Sequence, residues 1–286
     1  MRKETLSKER DKIIRDCLER YTGSEIKDFQ PYILLTNFRK YLTIFADHFK
    51  NDAIQCDGGM FQVVHSPSAG ISFINFGLGS PAAALIMDLL NCLPTKCILF
   101  LGMCGALRHY YVVGDYVVPI CSIRAEGTSN YYYPPEVPAL GNFLVQRAVS
   151  QVLDQKGLEY HLGVAYTTNK RFWEFSEEFK ENLKVADAHV IEMESATLFA
   201  AARYYRMSLG ALFFVSDRPL SKKGVKTKWS SRFIMEELAK EHIEIGVDVL
   251  RLFEEIQENR KNMITRKELW RNLPHGFDDP EDISGS

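Results

Sequence analysis

The sequence lacks the features that would place it in a membrane or in a secreted, disulfide-rich class. No apolar run is long enough to span a bilayer, and the first residues contain no apolar core of a signal peptide. The six cysteines include no Cys-x-x-Cys pair, which argues against zinc sites and disulfide frameworks. We therefore expect reduced thiols, most of them in the core, in a cytoplasmic protein without a bound metal.

The chain also lacks a surplus of charge of either sign. Its formal net charge is −2, which gives no general attraction to nucleic acid or to anionic membranes. What the sequence does contain is 46% hydrophobic and 25% charged residues over 286 positions, enough for one large α/β domain with a full core.

The pattern predicts three parts: an N-terminal helical extension over residues 1–30, a catalytic domain over 31–258 and a loose C-terminal extension over 259–286. Within the first part, residues 3–21 are charged on one side and predict an amphipathic helix. The apolar face of that helix is expected to contain Leu6, Ile13, Cys17 and Tyr21.

Two acidic residues stand at the junctions of a strand, a helix and a second strand within residues 190–219. Glu194 precedes a helix whose apolar positions repeat at i, i+3, i+4 and i+7. Asp217 follows a continuous apolar run, 211–215, which is typical of a parallel strand covered on both faces. Since open parallel sheets bind ligands outside the carboxyl ends of their strands, Asp217 is expected at a functional site.

Another predicted strand, 31–35, is followed by side chains that can bind a phosphate. Thr36 and Asn37 can form hydrogen bonds, and Arg39 can pair with a phosphate. A capped turn before a helix over 41–49, with a solvated Arg39, explains the same residues equally well, and the sequence leaves both readings open.

A glycine loop opens the next predicted helix, with Gly77 and Gly79 before a predicted N-cap, Ser80. Such a loop makes an anion site from backbone N–H groups. The spacing also matches the dinucleotide fingerprint of oxidoreductases, but the strand that follows, 97–103, lacks the acid which that motif requires. An oxidoreductase is therefore disfavoured.

Two further strand ends complete the predicted pocket. Gly102 and Gly105 follow a strand over 96–101 and permit close approach of a ligand. After the strand over 162–168, Phe172 and Trp173 can stack on a base, although ordinary packing explains both aromatics equally well.

Several of these segments together resemble the purine nucleoside phosphorylase and nucleosidase superfamily, and within it the AMP nucleosidases. The segments that carry the resemblance are 32–38, Gly102 to Arg108, Thr167 to Glu174, Met193 to Thr197 and Val215 to Leu220. The resemblance implies a three-layer α/β fold, with a central mixed, largely parallel, twisted sheet flanked by helices. It also implies a homo-oligomer, namely a hexamer, that hydrolyses AMP to adenine and ribose 5-phosphate without a cofactor.

The resemblance implies roles that suit the chemistry of each side chain. Cleaving the N-glycosidic bond needs an acid for the leaving base and contacts to the sugar hydroxyls. Asp217 is the expected acid, since the end of an apolar strand is desolvated and favours a protonated carboxyl. Glu194 would accept from two ribose hydroxyls above an apolar floor formed by Met193. The structural alternatives are a helix-terminal acid at Glu194 and an Asx-turn acid at Asp217.

The remaining expected site residues are assigned to the base, the phosphate and the pocket wall. Those expected at the purine are Phe172, Trp173 and Ser216. Those considered for the 5′-phosphate are Thr36, Asn37, Arg39, Arg108, Arg124, Arg171, Lys222 and Lys228. The expected pocket glycines are Gly77, Gly79, Gly102 and Gly105.

Two other functions stay open. The first is a purine nucleoside phosphorylase or nucleosidase that acts on the unphosphorylated nucleoside, and the second is a non-enzymatic nucleotide-binding protein on the same fold. Phosphorylases of the superfamily often place a hydroxyl near the position of Met103 to hold the attacking phosphate, and methionine cannot do so. This departure favours water as the nucleophile. Asp217 suits adenine better than a 6-oxopurine because a carboxylate accepts from a 6-amino group.

Overall fold

A computed structural model of the protein describes residues 2–221 and 238–261. Within them the chain forms seven α-helices and ten β-strands. The helices are α1 (Arg2–Thr22), α2 (Arg39–His48), α3 (Ser80–Leu90), α4 (Phe143–Gln155), α5 (Glu177–Val185), α6 (Ser195–Tyr204) and α7 (Ala239–Lys261). The strands are β1 (Tyr32–Thr36), β2 (Ile54–Asp57), β3 (Gln62–Ser66), β4 (Ile71–Asn75), β5 (Cys97–Ala106), β6 (Tyr116–Ala125), β7 (Ala139–Leu140), β8 (Tyr160–Thr168), β9 (Val190–Glu192) and β10 (Leu209–Asp217).

All ten strands belong to one mixed sheet, which confirms the predicted α/β fold. One arm runs β2-β3-β4-β1-β5, and β5 also pairs with β9 and β10. Since β10 pairs with β6, β6 with β8, and β8 with β9, a closed ring of pairings joins the strands β5, β6, β8, β9 and β10. The closing pair β10–β5 is a contact between segments about 110 residues apart that no local pattern reveals.

The predicted helix over 3–21 is confirmed as α1, but its buried face differs from the expected one. Ile13 is 57% exposed, whereas Leu18 is fully buried and Ile14 packs against the core. Cys17 and Tyr21 do pack against the core, as expected. The apolar residues allow two overlapping helix faces, and packing against α3 decides between them. The side chain of Leu6 lies outside the described part of the structure.

The central strand β5 is longer and more buried than expected. Every residue of β5 is buried, and β5 continues to Ala106, so Gly102 and Gly105 lie inside the strand. A Cβ on Gly102 would lie 2.9 Å from the Phe100 ring and 3.0 Å from the Phe213 ring. Gly102 therefore serves aromatic packing in the core, which corrects its assignment as a pocket glycine.

Contacts divide the chain into two units, Met1–Phe253 and Glu254–Ser286. Of the second unit, the structure describes residues 254–261, which are helical. The predicted boundaries at residues 30 and 258 stay predictions. Lys222, Lys228 and most of the predicted C-terminal extension lie outside the described residues. In the part that is described, no helix is both long and apolar enough to cross a membrane.

Candidate active site

A cleft with a cavity volume of about 200 Å³, open to solvent, lies where the carboxyl ends of β1, β5, β8, β9 and β10 meet. Eight of the residues predicted from the sequence line it: Asn37, Gly105, Arg171, Trp173, Met193, Glu194, Ser216 and Asp217. The fold thus brings together residues that are up to 180 positions apart in the chain.

Asp217 reaches this cleft through an irregularity in β10. The register of β10 against β5 pairs Val215 with Cys104 and then Asp217 with Gly105, so Ser216 is an extra residue. Such a bulge bends the strand and re-aims the side chains beside it. The Ser216 hydroxyl donates to Oδ1 of Asp217 at 2.6 Å and also lies 3.3 Å from the carbonyl oxygen of Cys104. Ser216 therefore orients the carboxyl group of Asp217.

Glu194 is a buried carboxyl group at the N-terminus of α6, with 2% of its surface exposed. Its Oε1 accepts from the backbone N–H of Gly79 at 2.7 Å, and the Asn37 side chain donates to the same carboxylate. Burial, and then the charge of neighbouring Glu192, raises the pKa of Glu194 to about 8. In the free protein the proton on this carboxyl is therefore retained to neutral pH.

Glu192 is a further buried acid in the cleft, and it is absent from the site residues predicted from the sequence. Its Oε2 accepts from the backbone N–H groups of Glu194 and Ser195 at 2.8 and 2.7 Å. Its Oε1 accepts from the hydroxyls of Ser195 and Thr167. Burial raises the pKa of Glu192, while these donors oppose that rise. An acid directly before a predicted helix start is a signal that could have identified it.

The glycine loop before α3 differs from the prediction in one respect. Gly79 is the N-cap residue, and Ser80 is the first helical residue, whose hydroxyl donates to the carbonyl oxygen of Met193 at 2.7 Å. The acceptor at this loop is supplied by the protein itself, as Oε1 of Glu194. Gly77, whose N–H donates to the Asn75 side chain at 3.2 Å, shapes the loop rather than the cleft wall.

The loop after β8 provides one wall of the cleft. Trp173 is 4% exposed, and its ring lies 5.7 Å from the ring of Phe179. It packs in a small cluster with Ile191 and also lines the cleft, so the packing alternative is confirmed, and stacking on a base stays a prediction. Phe172, in contrast, is 71% exposed and lies outside the cleft lining. Lys170 lines the cleft although the sequence analysis did not select it.

The guanidinium group of Arg124 forms its hydrogen bonds with the loop that follows β6. Its five N–H donors are all used: Nε donates to Ser129, Nη1 to the carbonyls of Pro134 and Val137, and Nη2 to Asn130 and the carbonyl of Tyr133. A guanidinium group has five donors, so this arrangement leaves none for a phosphate. The structure therefore corrects the assignment of Arg124 to the phosphate.

Three other phosphate candidates lie outside the cleft lining among the described residues. Arg39 is 76% exposed and stands 3.6 Å from Asp57. Arg108 pairs with Asp187, to which it donates through Nη2. Thr36 is fully buried, and its hydroxyl oxygen accepts from the backbone N–H of Phe38, as in the capped-turn alternative. Arg171 and Asn37 are thus the described phosphate candidates that line the cleft.

Comparisons with known proteins agree with this geometry. A family model of the phosphorylase superfamily matches residues 58–251. The chain is 28% identical over 280 residues to an AMP nucleosidase of Escherichia coli strain K12, covering 82% of this chain and 57% of that protein. It is also 28% identical to a guanosine phosphorylase of Halorubrum lacusprofundi, covering 71% and 84%. The chain therefore spans little more than half the length of the E. coli relative.

Solved structures show the same fold. The crystal structure of AMP nucleosidase from Bacteroides thetaiotaomicron superposes with a TM-score of 0.76 at 38% identity, covering 88% of this chain and 99% of that chain. A uridine phosphorylase from Vibrio fischeri superposes with a TM-score of 0.70 at 16% identity, covering 79% and 93%. At that identity the second likeness concerns the fold alone.

Proposed function

This chain belongs to the phosphorylase superfamily, and from that membership we propose that it hydrolyses the N-glycosidic bond of AMP to adenine and ribose 5-phosphate. The observation that carries the proposal is the joint presence of Asp217 and Glu194 in one cleft, beside the buried ring of Trp173. Two carboxyl groups and an aromatic wall meet the needs of a purine ribonucleotide, since the base must be protonated and the sugar held.

Asp217 is proposed as the general acid. As the bond between C1′ and N9 breaks, its electron pair moves onto the purine, and Asp217 donates a proton to N7. The sugar becomes cation-like and is captured at C1′ by water, which releases one proton to solvent as ribose 5-phosphate forms. The hydrogen bond from Ser216 to Oδ1 holds the carboxyl group in one orientation. That orientation is proposed to direct the acidic proton toward N7 of the purine.

Glu194 is proposed as the partner of the ribose hydroxyls. Two vicinal hydroxyls would donate to its carboxylate, and hydrogen bonds to the charged form favour ionisation. Substrate binding would therefore lower the pKa of Glu194 from its raised value and place a negative charge beside the cation-like sugar. Met193, whose backbone carbonyl accepts a hydrogen bond from Ser80, is proposed to supply the adjoining apolar floor.

The 5′-phosphate is proposed to bind Arg171 and Lys170, with Asn37 across the cleft. These basic residues are adjacent in the loop after β8, and a guanidinium group matches a phosphate in geometry and charge. The names of the E. coli and Bacteroides relatives support a nucleotide substrate. The expected roles of Lys222 and Lys228, the hexamer and the cytoplasmic location stay predictions.

A nucleoside phosphorylase is the second candidate, favoured by the similarity to guanosine phosphorylase. The two functions differ in the nucleophile and in the need for the 5′-phosphate. Met103 lines the cleft, and its side chain offers a phosphate nucleophile no hydrogen-bond donor.

One assay separates these functions. The protein is incubated with AMP and with adenosine, each with and without inorganic phosphate, and the products are resolved by chromatography. We expect adenine and ribose 5-phosphate from AMP, independent of added phosphate, and no cleavage of adenosine. Cleavage of adenosine that requires phosphate would overturn the proposal in favour of a phosphorylase.

A further inference from the structure

Glu192 is a buried carboxyl group whose two oxygens both accept hydrogen bonds from the protein. It is 6% exposed and stands at the end of β9. Its Oε2 accepts from the backbone N–H groups of Glu194 and Ser195. Its Oε1 accepts from the hydroxyl of Ser195 at 2.7 Å and from the hydroxyl of Thr167. A carboxylate accepts at about four positions, so these four donors satisfy it without a ligand.

The surrounding groups fix the direction of the two hydroxyl hydrogen bonds. The hydroxyl oxygen of Ser195 lies 2.7 Å from that of Ser122, which supplies the hydrogen of this contact when the hydrogen of Ser195 points to Glu192. The Thr167 oxygen accepts from the backbone N–H of Ala196 at 3.0 Å. The two hydroxyl oxygens beside Glu192 are 3.2 Å apart, farther than either lies from Oε1. This is the arrangement of an ionised carboxylate.

Glu194 stands two residues further along and carries fewer donors. The donors to its carboxyl group are the backbone N–H of Gly79 and the side chain of Asn37. Two buried carboxylates in neighbouring positions repel each other, so one of them keeps a proton at a pH where exposed carboxyl groups are ionised. Burial and the charge of Glu192 raise the pKa of Glu194 to about 8. The proton of the pair therefore belongs to Glu194.

We propose that Glu192 is a positioning residue, which fixes the backbone at Glu194 and keeps the carboxyl group of Glu194 protonated until the ribose hydroxyls bind. This inference rests on the proposed function, in which Glu194 accepts from those hydroxyls. Both oxygens of Glu194 can serve as acceptors without a proton between them only in the ionised form. Binding of the sugar therefore releases one proton from Glu194 to the solvent, and it strengthens with rising pH until Glu194 is already ionised in the free protein.

Other titratable groups face the same cleft from the neighbouring elements. Arg171 pairs with Glu174 at 3.2 Å, and Ser216 donates to Asp217. Among the described residues, the turn after β1 and the loop before α3 contribute no titratable side chain to the lining. The groups that remain unchanged in every test variant, and affect each pH profile alike, are Cys104, Lys170, Arg171, Glu174 and Asp217.

The test measures the dissociation constant of ribose 5-phosphate by calorimetry between about pH 5 and pH 9. This ligand carries both vicinal hydroxyls, and its phosphate, which titrates near pH 6, is the same for every variant. We expect the affinity of the unmodified protein to level off near pH 8. In Glu192→Gln, the amide oxygen can accept from the two N–H groups while the amide nitrogen donates to the hydroxyls. Without the neighbouring charge, the affinity should level off at least about one pH unit lower.

The matched control is Ser122→Ala, which removes a hydroxyl of the same network and no charge. We expect its affinity to level off at the same pH as that of the unmodified protein. An unmoved profile in Glu192→Gln would overturn the proposal even if the affinity fell at every pH, because a residue that only caps α6 gives that result. An equal displacement in Ser122→Ala would also overturn it, since the charge would not be the cause.

Infrared difference spectroscopy locates the proton without a ligand and without the Glu192→Gln variant. At pH 6.5 the unmodified protein should show the carbonyl band of a buried, protonated carboxyl group, and Glu194→Gln should lack that band. A band that persists in Glu194→Gln would overturn the proposal, because Glu192 would then hold the proton. Failure of the proposed function is a separate result, seen as no cleavage of AMP in the chromatographic assay, and it leaves the infrared result decisive for Glu192.

Discussion

The backbone N–H of Gly79 lies 2.7 Å from Oε1 of Glu194 and donates a hydrogen bond to it. Gly79 has φ 92° and ψ 161°, a conformation that is almost exclusive to glycine. The start of α3 thus holds the carboxyl group at the start of α6, although 115 residues separate them. Because the proposed sugar contact depends on that carboxyl group, the backbone of Gly79 and the site are linked.

Gly79→Ala should therefore impair both stability and substrate binding. A side chain at this backbone conformation costs about 1–3 kcal/mol, and relaxation of the loop would move the N–H away from Glu194. We expect a lower free energy of unfolding in urea and a higher KM for AMP. Gly59→Ala is the control, because Gly59 is exposed and a Cβ there meets no atom within 4 Å. Equal behaviour of the two variants would contradict this account.

Asp217→Asn should abolish most of the activity without unfolding the protein. An amide cannot donate the proton to N7, and loss of a general acid costs about 10²–10⁴-fold in kcat. Steady-state kinetics with AMP, together with a urea denaturation curve, measures both effects. The control is Asp47→Asn, which makes the same chemical change at an exposed position on α2. Full turnover by Asp217→Asn would refute the assignment of the general acid.

The raised pKa of Glu194 predicts how stability depends on pH. From about pH 4.5 to about pH 8, the unfolded chain has released this proton while the folded protein retains it. Stability contributed by the group is therefore present below pH 4.5 and is lost as the pH rises through 8. Glu194→Gln has no titrating group at this position. As the pH increases, its free energy of unfolding should therefore rise relative to that of the unmodified protein.

Urea denaturation at pH 5, 6.5 and 8 would measure this difference. The exposed residue Glu178 provides the control, because Glu178→Gln removes a solvated carboxyl group of the same size. We expect the curve for Glu178→Gln to run parallel to that of the unmodified protein. If Glu194→Gln also runs parallel, the carboxyl group of Glu194 is ionised in the folded protein.

Two threonine-to-valine substitutions should differ in their effect on the free energy of unfolding. The Thr167 hydroxyl donates to Glu192 and accepts from the backbone N–H of Ala196 at 3.0 Å, so Thr167→Val leaves buried groups unpaired. We expect a loss of about 1–3 kcal/mol in the free energy of unfolding. The Thr95 hydroxyl is buried and has no hydrogen-bond partner among the described residues, so Thr95→Val should be neutral or stabilising. Similar losses in both variants would contradict the role of Thr167.

Arg124→Lys tests whether Arg124 fastens the loop after β6. A lysine has three donors on one nitrogen and cannot reproduce five hydrogen bonds to separate acceptors. We expect faster hydrogen exchange over residues 128–137 and an unchanged dependence of activity on the 5′-phosphate. Arg203→Lys is the control, since Arg203 lies over the Tyr133 ring at 5.3 Å and should leave the exchange rates unaltered. A selective loss of activity on AMP would restore Arg124 as a phosphate ligand.

The local sequence pattern was sufficient to predict the strand and the helix that carry the proposed catalytic residues. The continuous apolar run before Asp217 predicted the buried strand β10, and the periodicity after Glu194 predicted α6. Both acids were expected at the carboxyl ends of strands, and both line the cleft. Such junctions are visible in sequence because burial on both faces requires uninterrupted apolar residues, and helix periodicity marks where that requirement changes.

Only the tertiary structure decided which side chains complete the site. Arg124 and Arg171 are the same residue type near the ends of paired strands, yet one binds its own loop and the other lines the cleft. A buried polar group is stabilised by whichever donors the fold brings to it, and those donors are mostly distant in the chain. The sequence by itself thus determined where the strands end and which acids follow them, and the folded packing determined the partners of each polar group.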